Sequence, residues 1–261
     1  MSNLLQFRCA LVTGGGGGIG KAMAQYFISQ GKTVLLVGRT ESNLQAASKE
    51  IGAAGYYVLD VGDSAAIPTF VQKVLQQHPD LDCIVNSAGV QRPLDVLGDH
   101  ENFLSKADQE IDINIRGPLH LTMRLLPHLQ KQQNPVIVNV SSILGFLPFS
   151  FINPIYNGTK AWVHFWSMNL RTQLAGAKSP VRVVEIAPPT VATDLHRERE
   201  NPDDNKKENN EKSLSVDEFV REVAEKLERG EEMISAGPGW QLVDDWYRTF
   251  GKQYRDAEEA S

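Results

Sequence analysis

The chain has 261 residues, of which 41% are hydrophobic and 22% are charged, with a formal net charge of −6. These values predict one folded domain over residues 1–261 and exclude general disorder, and the negative charge argues against nucleic acid or an anionic membrane as a partner. The two cysteines, Cys9 and Cys83, lie in apolar runs and are expected as buried thiols. We therefore expect a reducing, cytoplasmic compartment, and neither a disulfide nor a metal site.

Short apolar runs alternate with helical patterns along the chain. We predict strands at residues 9–13, 33–37, 56–59, 82–85, 136–140, 181–186 and 233–236. We predict one helix between the first two strands and further helices at residues 41–51, 64–77, 103–129, 156–174 and 216–229, with Pro118 as a candidate break in the longest. Apolar strands separated by helices predict a doubly wound, parallel α/β sheet of the Rossmann type with about seven strands and helices on both faces.

A glycine-rich turn follows the first predicted strand and opens the first helix. In that context glycines let the backbone approach a phosphate closely, and the helix N-terminus attracts its negative charge. Two registers fit the turn: Gly15, Gly17 and Gly20, or Gly14, Gly18 and Gly20. The turn therefore predicts a dinucleotide-phosphate site, and its spacing alone leaves both registers open.

The residues after the second strand bear on the choice of cofactor. Arg39 stands where an acidic residue would ordinarily accept from the adenosine ribose, and Glu41 follows two positions later. A guanidinium matches a 2′-phosphate in charge and geometry, whereas a carboxylate would repel it. This pattern favours NADP(H), while a surface role for Arg39 with Glu41 on the ribose would allow NAD(H).

Tyr156 and Lys160 are four residues apart in a predicted helix, so both lie on one face. A cation beside a phenol favours the phenolate, so the pair can serve as an acid/base couple in which the pKa of Tyr156 is lowered. The alternative is an aromatic side chain packed under a solvated charge.

One segment departs from the alternating pattern. Residues 196–212 contain five basic and six acidic residues and no large apolar residue. Such a segment cannot bury apolar surface, so we expect an exposed excursion. A solvated insertion is favoured over a lid or a partner-binding role, because mixed charge gives no steering field. Ser215 and Glu218 then have the spacing of a capping box that restarts the helical pattern.

Taken together, these motifs resemble the classical short-chain dehydrogenases/reductases. The resemblance spans nearly the whole chain and rests on Thr13-Gly14-x-x-x-Gly18-Ile19-Gly20, Asp60, Asn86-Ser87-Ala88-Gly89, Asn114, Ser142, Tyr156-x-x-x-Lys160 and residues 188–193. It selects the register of Gly14, Gly18 and Gly20. The neighbourhood of Tyr156, residues 187–195 and residues 214–219 resemble the branch of bacterial DltE-type oxidoreductases.

The resemblance implies catalytic roles for four residues. Tyr156 would be the general acid in carbonyl reduction, and Lys160 would hold the nicotinamide ribose and lower the pKa of the phenol. Ser142 would donate a hydrogen bond to the substrate oxygen, and Asn114 would position a water that resupplies the proton. Ser142 lies fourteen residues before Tyr156, slightly farther than the family pattern, so Ser141 remains a competitor.

The resemblance also implies binding residues. Those for the cofactor are Gly14, Gly18, Ile19, Gly20, Arg39, Thr40, Asp60, Val61, Asn86, Ala88, Gly89, Tyr156, Lys160, Pro188, Val191 and Thr193. Those for the substrate are Ser142, Leu144, Phe149, Tyr156 and Pro189, within a predicted wall of Val90, Gln91, Leu144, Phe146, Phe149, Phe151 and Leu195. Pro189 and Ser87 depart from the residues common in the family, but neither change removes a catalytic group.

We therefore expect an NADP(H)-dependent oxidoreductase acting on a small-molecule carbonyl or alcohol, with an apolar ketone or aldehyde as the predicted substrate. The alternatives are an NADP(H) sensor or partner-binding module with vestigial catalysis, and non-redox chemistry on the same scaffold. Trp162, Phe165 and Trp166 crowd one predicted helix, which favours a homo-oligomer, either a dimer or a tetramer, over burial against the sheet.

Overall fold

Seven parallel strands form one sheet in the computed structural model, which describes residues 3–259. The strands are β1 Cys9–Thr13, β2 Thr33–Gly38, β3 Gly55–Val58, β4 Leu81–Asn86, β5 Val136–Val140, β6 Arg182–Ile186 and β7 Met233–Ile234. Their order in the sheet is β3-β2-β1-β4-β5-β6-β7. This confirms the predicted doubly wound sheet. Met1, Ser2, Ala260 and Ser261, which the prediction of one domain includes, lie outside the described residues.

Both faces of the sheet are buried, and successive side chains of each strand point to opposite faces. Ala10 and Val12 of β1 belong to one apolar cluster, whereas Cys9 and Leu11 belong to the other. Parallel strands covered on both faces need apolar residues at nearly every position, which explains the continuous apolar runs in the sequence. Cys9 and Cys83 are free, buried thiols, as predicted.

Helices cover the two faces of the sheet. They are α1 Gly18–Ser29, α2 Glu41–Ile51, α3 Ile67–Gln77, α4 His100–Ile111, α5 Gly117–Leu129, α6 Pro154–Gly176, α7 Val216–Glu228 and α8 Gly239–Glu259. The predicted capping box at the start of α7 is present, with Ser215 and Glu218 each accepting a backbone N–H of the other. Within residues 3–259, no helix is both long enough and apolar enough to cross a bilayer.

The long helix predicted over residues 103–129 is interrupted before Pro118. Asp99 caps α4 by accepting from the N–H groups of Glu101 and Asn102, so the helix starts earlier than predicted. A π-helical segment, Asp112–Arg116, then separates α4 from α5. Pro118 lies in the first turn of α5, where its missing N–H leaves no helical hydrogen bond unmade. The break therefore falls at the segment that carries Asn114.

Helix α8 was not predicted from the sequence. It follows the turn at residues 237–238, and charged residues are interspersed among its apolar ones. Its Trp246 packs edge-on against Phe146 and His164, with ring centroids 5.7 and 4.8 Å apart. Helix α8 therefore packs against α6 and against the loop that follows β5.

The charged segment at residues 196–212 docks on the body of the protein by polar contacts. Arg92 donates to Glu198 at 3.1 Å, and Arg199 donates to Gln91 at 3.1 Å. Within the segment, Arg199 also pairs with Asp204 at 3.2 Å. Most of the segment is exposed as predicted, but His196 and Arg199 line the cavity described below. Ion pairs and hydrogen bonds therefore replace the apolar contacts that this segment lacks.

Candidate active site

A cavity of about 530 Å³ opens at the carboxyl ends of the strands, where parallel α/β sheets bind their ligands. The turns after β1, β4, β5 and β6 all contribute to its wall. The predicted site residues that it brings together are Gly14, Gly18, Ile19, Gly20, Ala88, Gly89, Ser142, Leu144, Phe149, Tyr156, Lys160, Pro188, Pro189, Val191 and Thr193.

The glycine turn has the shape of a phosphate cradle. Gly14 and Gly18 have φ values of +70° and +52°. Glycine adopts this backbone conformation readily, whereas a residue with a side chain would be strained there. A Cβ on Gly20 would lie 2.5 Å from the carbonyl oxygen of Gly14, whereas one on Gly17 would meet nothing within 4 Å. These contacts favour the register of Gly14, Gly18 and Gly20. Because α1 begins at Gly18 with no acidic residue in its first turn, the cradle suits a dinucleotide diphosphate.

Tyr156 and Lys160 lie one turn apart on α6, and both are buried. The Lys160 ammonium donates to the carbonyl oxygen of Val140 at 2.8 Å, and its Nζ lies 5.5 Å from the centroid of the Tyr156 ring. The Tyr156 phenol interacts with the Ser142 hydroxyl at the end of β5. These contacts join the head of α6 to the strand end, so the three polar groups share one part of the cavity wall.

Burial raises the pKa of the Tyr156 phenol, and the charge of Glu110 raises it further, while the interaction with Ser142 opposes the shift. The lowered pKa predicted from Lys160 is therefore wrong for this structure, because desolvation of the phenolate outweighs the favourable contacts. Tyr156 consequently stays protonated at neutral pH, which is the form that a general acid needs.

Burial lowers the pKa of Lys160 from its ordinary value of 10.5 to about 8, although the charges of Glu110 and Glu185 oppose the shift. Taking an ammonium out of water is costly, and the two carboxylates offset part of that cost. Lys160 therefore remains mostly charged at neutral pH and loses its proton in mildly alkaline solution.

The two serines after β5 have different partners. Ser141 also lines the cavity, but its hydroxyl points away from it and donates to the buried Glu185 carboxylate at 2.5 Å. The Ser142 hydroxyl accepts from the N–H of Leu144 at 3.2 Å, which starts the short turn Ile143–Gly145, and it faces Tyr156. This arrangement favours Ser142 over Ser141 as the partner of a substrate oxygen.

Asn114 lies beside the cavity rather than in its wall. Its amide accepts from the N–H of Val90 at 3.0 Å and donates to the carbonyl of Val90 at 2.9 Å and to Thr159 at 3.1 Å. A π-helical segment shifts the backbone hydrogen bonds of a helix and is frequent at functional sites. Asn114 thus ties the loop after β4 to the turn of α6 that carries Lys160.

Other predicted cofactor residues lie outside the cavity wall. The Asn86 amide points into the interior, where it donates to Thr122 at 3.1 Å and to Asn139 at 2.8 Å. Arg39 is 46% exposed at the end of β2, with its guanidinium 3.9 Å from the carboxylate of Asp60. The remaining members of this group are Thr40, at the N-cap position of α2, and Val61, which follows β3 and packs its side chain into the apolar core.

Only some of the residues predicted to line the substrate end of the cavity do so. Gln91, Leu144, Phe149 and Leu195 line it, and Val90, Phe146 and Phe151 do not. The Val90 side chain packs into the apolar core, and the Phe146 ring lies on the His164 ring at a centroid distance of 3.9 Å. Phe151 is 86% exposed and borders a separate surface pocket of about 430 Å³.

Several polar residues of the cavity were missed from the sequence, namely Asn43, Ser150, His196, Arg197, Arg199 and Asn205. Four of them come from the charged segment at residues 196–212, where no local pattern indicates which side chains turn inward. Burial and the charge of Arg199 lower the pKa of His196 to about 4, so His196 is neutral at neutral pH. The cavity is therefore more polar than its predicted apolar wall.

A different group of potential metal ligands lies at the amino end of the sheet. The ligand atoms of Cys9, His78 and Asp80 lie within 4.8 Å of one another. Burial raises the pKa of the Cys9 thiol to about 12, and the charges of Asp80 and Asp82 add to the shift. The thiol therefore stays protonated at neutral pH, and the thiol is not the form that binds metal ions.

Comparisons with known proteins agree with this geometry. A family model described as short chain dehydrogenase matches residues 8–204. The protein of Bacillus subtilis (strain 168) named uncharacterized oxidoreductase DltE is 33% identical over 225 residues, which are 86% of each chain. The NADP-dependent 3-hydroxy acid dehydrogenase YdfG of Shigella flexneri is 34% identical over 200 residues, which are 76% of this chain and 79% of YdfG.

Among solved structures, the closed form of serine dehydrogenase complexed with NADP+ matches with a TM-score of 0.75 and 28% identity. The match covers 88% of this chain and 94% of that one. The region matched by the family model includes the glycine turn, the strand end at Ser142 and the Tyr156–Lys160 pair.

The burial of Lys160 predicts a specific pH dependence of stability. Because its folded pKa of about 8 lies below the ordinary 10.5, the folded state releases a proton between these values while the unfolded state keeps it. The wild type should gain up to about 3 kcal/mol of unfolding free energy over Lys160→Met as the pH rises from 8 to 10.5. Denaturant unfolding of both proteins at several pH values measures this difference. The two proteins share all other titratable groups, so the contributions of those groups cancel when the free energies are subtracted.

Lys49→Met is the matched control, because Lys49 is exposed on α2. Its curve should run parallel to that of the wild type. A parallel curve for Lys160→Met as well would contradict the lowered pKa of Lys160.

Proposed function

Because the chain belongs to the short-chain dehydrogenase family and is an oxidoreductase of that family, we propose that it transfers a hydride between NADP(H) and a carbonyl or alcohol substrate. The observation that carries the proposal is the meeting of Ser142, Tyr156 and Lys160 in one cavity with the glycine turn. A site that only bound the cofactor would need the turn and a cation at the ribose, but it would not need the complete set, in which a buried phenol and a hydroxyl meet beside that cation.

The proposed mechanism assigns one task to each side chain. Bound NADPH supplies the hydride. Tyr156 holds a proton at its phenol oxygen and gives it to the substrate oxygen as the substrate carbon is reduced. Ser142 donates a hydrogen bond to the same oxygen, and the charge of Lys160 stabilises the phenolate that remains. Gly14, Gly18 and the N-terminus of α1 would hold the diphosphate.

The preference for NADP(H) over NAD(H) rests on Arg39. Its guanidinium is half-exposed at the carboxyl end of β2, so it is free to meet a 2′-phosphate. The distant ion pair with Asp60 leaves most of its hydrogen-bonding capacity unused. YdfG and the serine dehydrogenase structure, both named with NADP, support the same preference.

Two substrate classes fit the cavity. Leu144, Phe149 and Pro189 favour an apolar ketone or aldehyde. Arg197 and Arg199 favour a second candidate, an oxo acid or hydroxy acid, because a guanidinium binds a carboxylate well. The names of the two dehydrogenase relatives are consistent with this second class. Turnover of a panel containing both classes distinguishes them.

The rival functions are an NADP(H) sensor and a non-redox enzyme on the same scaffold. The intact set of Ser142, Tyr156 and Lys160 argues against a sensor. Tight NADPH binding without turnover of any carbonyl would instead favour it. Release of a product at the same oxidation level as the substrate would favour the non-redox enzyme.

We also propose that the protein is a cytoplasmic homo-oligomer. Phe165 on α6 is 51% exposed, and Phe250 on α8 is half-exposed, although α8 covers part of the neighbouring surface. The rings of Trp162 and Trp166 stack at 5.6 Å on the same helix. An aromatic surface of this kind favours contact with a second copy. The two free, buried thiols are consistent with a reducing compartment.

Replacement of the proposed acid tests the mechanism. Tyr156→Phe should lower kcat for carbonyl reduction by at least about 100-fold, because the substrate oxygen loses its proton donor. The affinity for NADPH should change little, as measured by fluorescence titration. Tyr57→Phe is the matched control, since the Tyr57 hydroxyl contacts Gln77 far along the sheet. Unchanged reduction by Tyr156→Phe would disprove the assigned role.

A charge reversal tests the choice of cofactor. Arg39→Asp should raise KM for NADPH by about tenfold or more and lower the preference for NADPH over NADH, because the carboxylate repels a 2′-phosphate. Steady-state kinetics with both cofactors measure the shift. Arg221→Asp makes the same charge change at an exposed site on α7 and should leave the preference unaltered. A wild type that already prefers NADH would overturn the assignment.

The oligomer proposal predicts the mass of the protein in solution. Multi-angle light scattering should give at least twice the chain mass of 28.9 kDa. Phe165→Glu should lower that mass by placing a charge in the aromatic surface. Phe151→Glu is the control, because Phe151 is exposed and lies outside the aromatic surface of α6 and α8. This variant should keep the mass of the wild type. A wild type with the mass of one chain would refute the proposal.

A further inference from the structure

A buried polar network runs inward from Ser141 in the cavity wall and has no part in the mechanism above. It consists of Ser141 after β5, Glu185 on β6 and His164 on α6. The Ser141 hydroxyl donates to one oxygen of the Glu185 carboxylate at 2.5 Å, and His164 Nδ1 lies 2.9 Å from the other oxygen. Glu185 and His164 are both 0% exposed. Burying a carboxylate costs free energy of folding unless hydrogen bonds or opposite charges compensate for lost hydration. Ser141 and His164 provide that compensation for Glu185.

The order of the groups excludes a nucleophilic triad. In such a triad the imidazole stands between the hydroxyl and the carboxylate, whereas here the carboxylate stands between the other two. His164 Nε2 has no hydrogen-bond partner among the described residues, and the rings of Phe146 and Trp246 lie against the imidazole. The network therefore holds structure in place and does not attack a substrate.

Three successive turns of α6 meet the end of β5 on one helix face. Tyr156 interacts with Ser142, Lys160 donates to the carbonyl of Val140, and His164 reaches Ser141 through Glu185. Each of the three residues 140–142 is thus held by one turn of the helix. The contact at Ser141 is the middle one, so its position governs the two residues that touch the proposed acid and its cation.

The network also places charge near Lys160. Glu185 acts on Lys160 from β6, and Glu110 acts on it from α4, and both raise its pKa against the effect of burial. On its other sides Glu185 faces His164 from α6 and Tyr247 from α8. Removal of the Glu185 charge should therefore weaken, but not abolish, the electrostatic support of the Lys160 ammonium.

We propose that Glu185 is a positioning residue for the reaction: clamped by His164, its carboxylate fixes Ser141 and so holds Val140 and Ser142 where they meet Lys160 and Tyr156. This inference rests on the proposed function. Glu185 acts through the strand end and touches neither substrate nor cofactor in this arrangement.

The test is the pH profile of kcat for Glu185→Gln, a variant that keeps the side-chain shape but removes the charge. Its kcat should fall about tenfold while KM for NADPH stays within about twofold, because the glycine turn is untouched. The alkaline limb of the profile should move by roughly half a pH unit or more toward lower pH, since Lys160 would lose its proton more easily. Ser141→Ala should lower kcat without moving the limb, because the charge remains.

Ser167→Ala is the matched control. Ser167 also lies on α6 and is fully buried, and its hydroxyl accepts from Asn139 of β5 at 3.0 Å. This variant removes a helix-to-strand hydrogen bond of the same kind but no charge near Lys160. It should lower the unfolding temperature while leaving kcat and the alkaline limb unchanged.

A second measurement needs no turnover. The rate at which cyanate carbamylates Lys160, followed by peptide mass at a series of pH values, reports the pKa of its amine. In Glu185→Gln the reaction should begin at lower pH than in the wild type, and in Ser167→Ala it should not. If the wild type reduces no carbonyl, the proposed function fails, and this titration still tests the electrostatic part of the inference.

The inference is overturned if Glu185→Gln keeps the kcat and the alkaline limb of the wild type. Its electrostatic part is overturned if kcat falls but neither the limb nor the carbamylation profile moves, and its positioning part is overturned if Ser141→Ala keeps the kcat of the wild type.

Discussion

Lys160 carries its ammonium into the protein interior, where the carbonyl oxygen of Val140 accepts its hydrogen bond at 2.8 Å. An ammonium at that depth is stable only if the surroundings compensate for lost hydration. The compensation comes from three directions: the strand end supplies the carbonyl, and Glu110 and Glu185 supply negative charge from α4 and β6. Many of the polar groups around the cavity therefore serve to stabilise one buried cation in its protonated form.

The fold was largely predictable because its determinants are local. The apolar runs of β1 and β5 and the helical pattern of α2 gave the observed bounds, since glycine or polar residues end them. The long helix is broken near Pro118 as predicted, but its π-helical character at Asp112–Arg116 was not predicted, because such a segment leaves no mark in the hydrophobic pattern. Helix α8 was missed because Gly237, Pro238 and Gly239 stand at its start and a charged sequence follows them.

The catalytic residues were easier to predict than the residues around the substrate. Tyr156 and Lys160 have a fixed spacing on one helix, and Ser142 ends a strand, so regular elements place all three. Phe146 and Phe151 lie in a loop, where sequence does not tell whether an aromatic ring faces the core, the cavity or solvent. Arg199 was missed for a related reason, since Gln91, the partner that joins it to the cavity wall, is distant in the chain.

The charged segment at residues 196–212 gives the cavity two walls of different physical character. The floor of strand ends is held by apolar packing, which ionic strength hardly affects, whereas the side formed by this segment is held by pairs such as Arg92 with Glu198. The segment contains no large apolar residue, so its sequence can change without leaving a void in the core. The catalytic groups therefore stand on regular elements packed by apolar contacts, whereas the side of the cavity formed by this segment can vary in sequence wherever its residues are exposed.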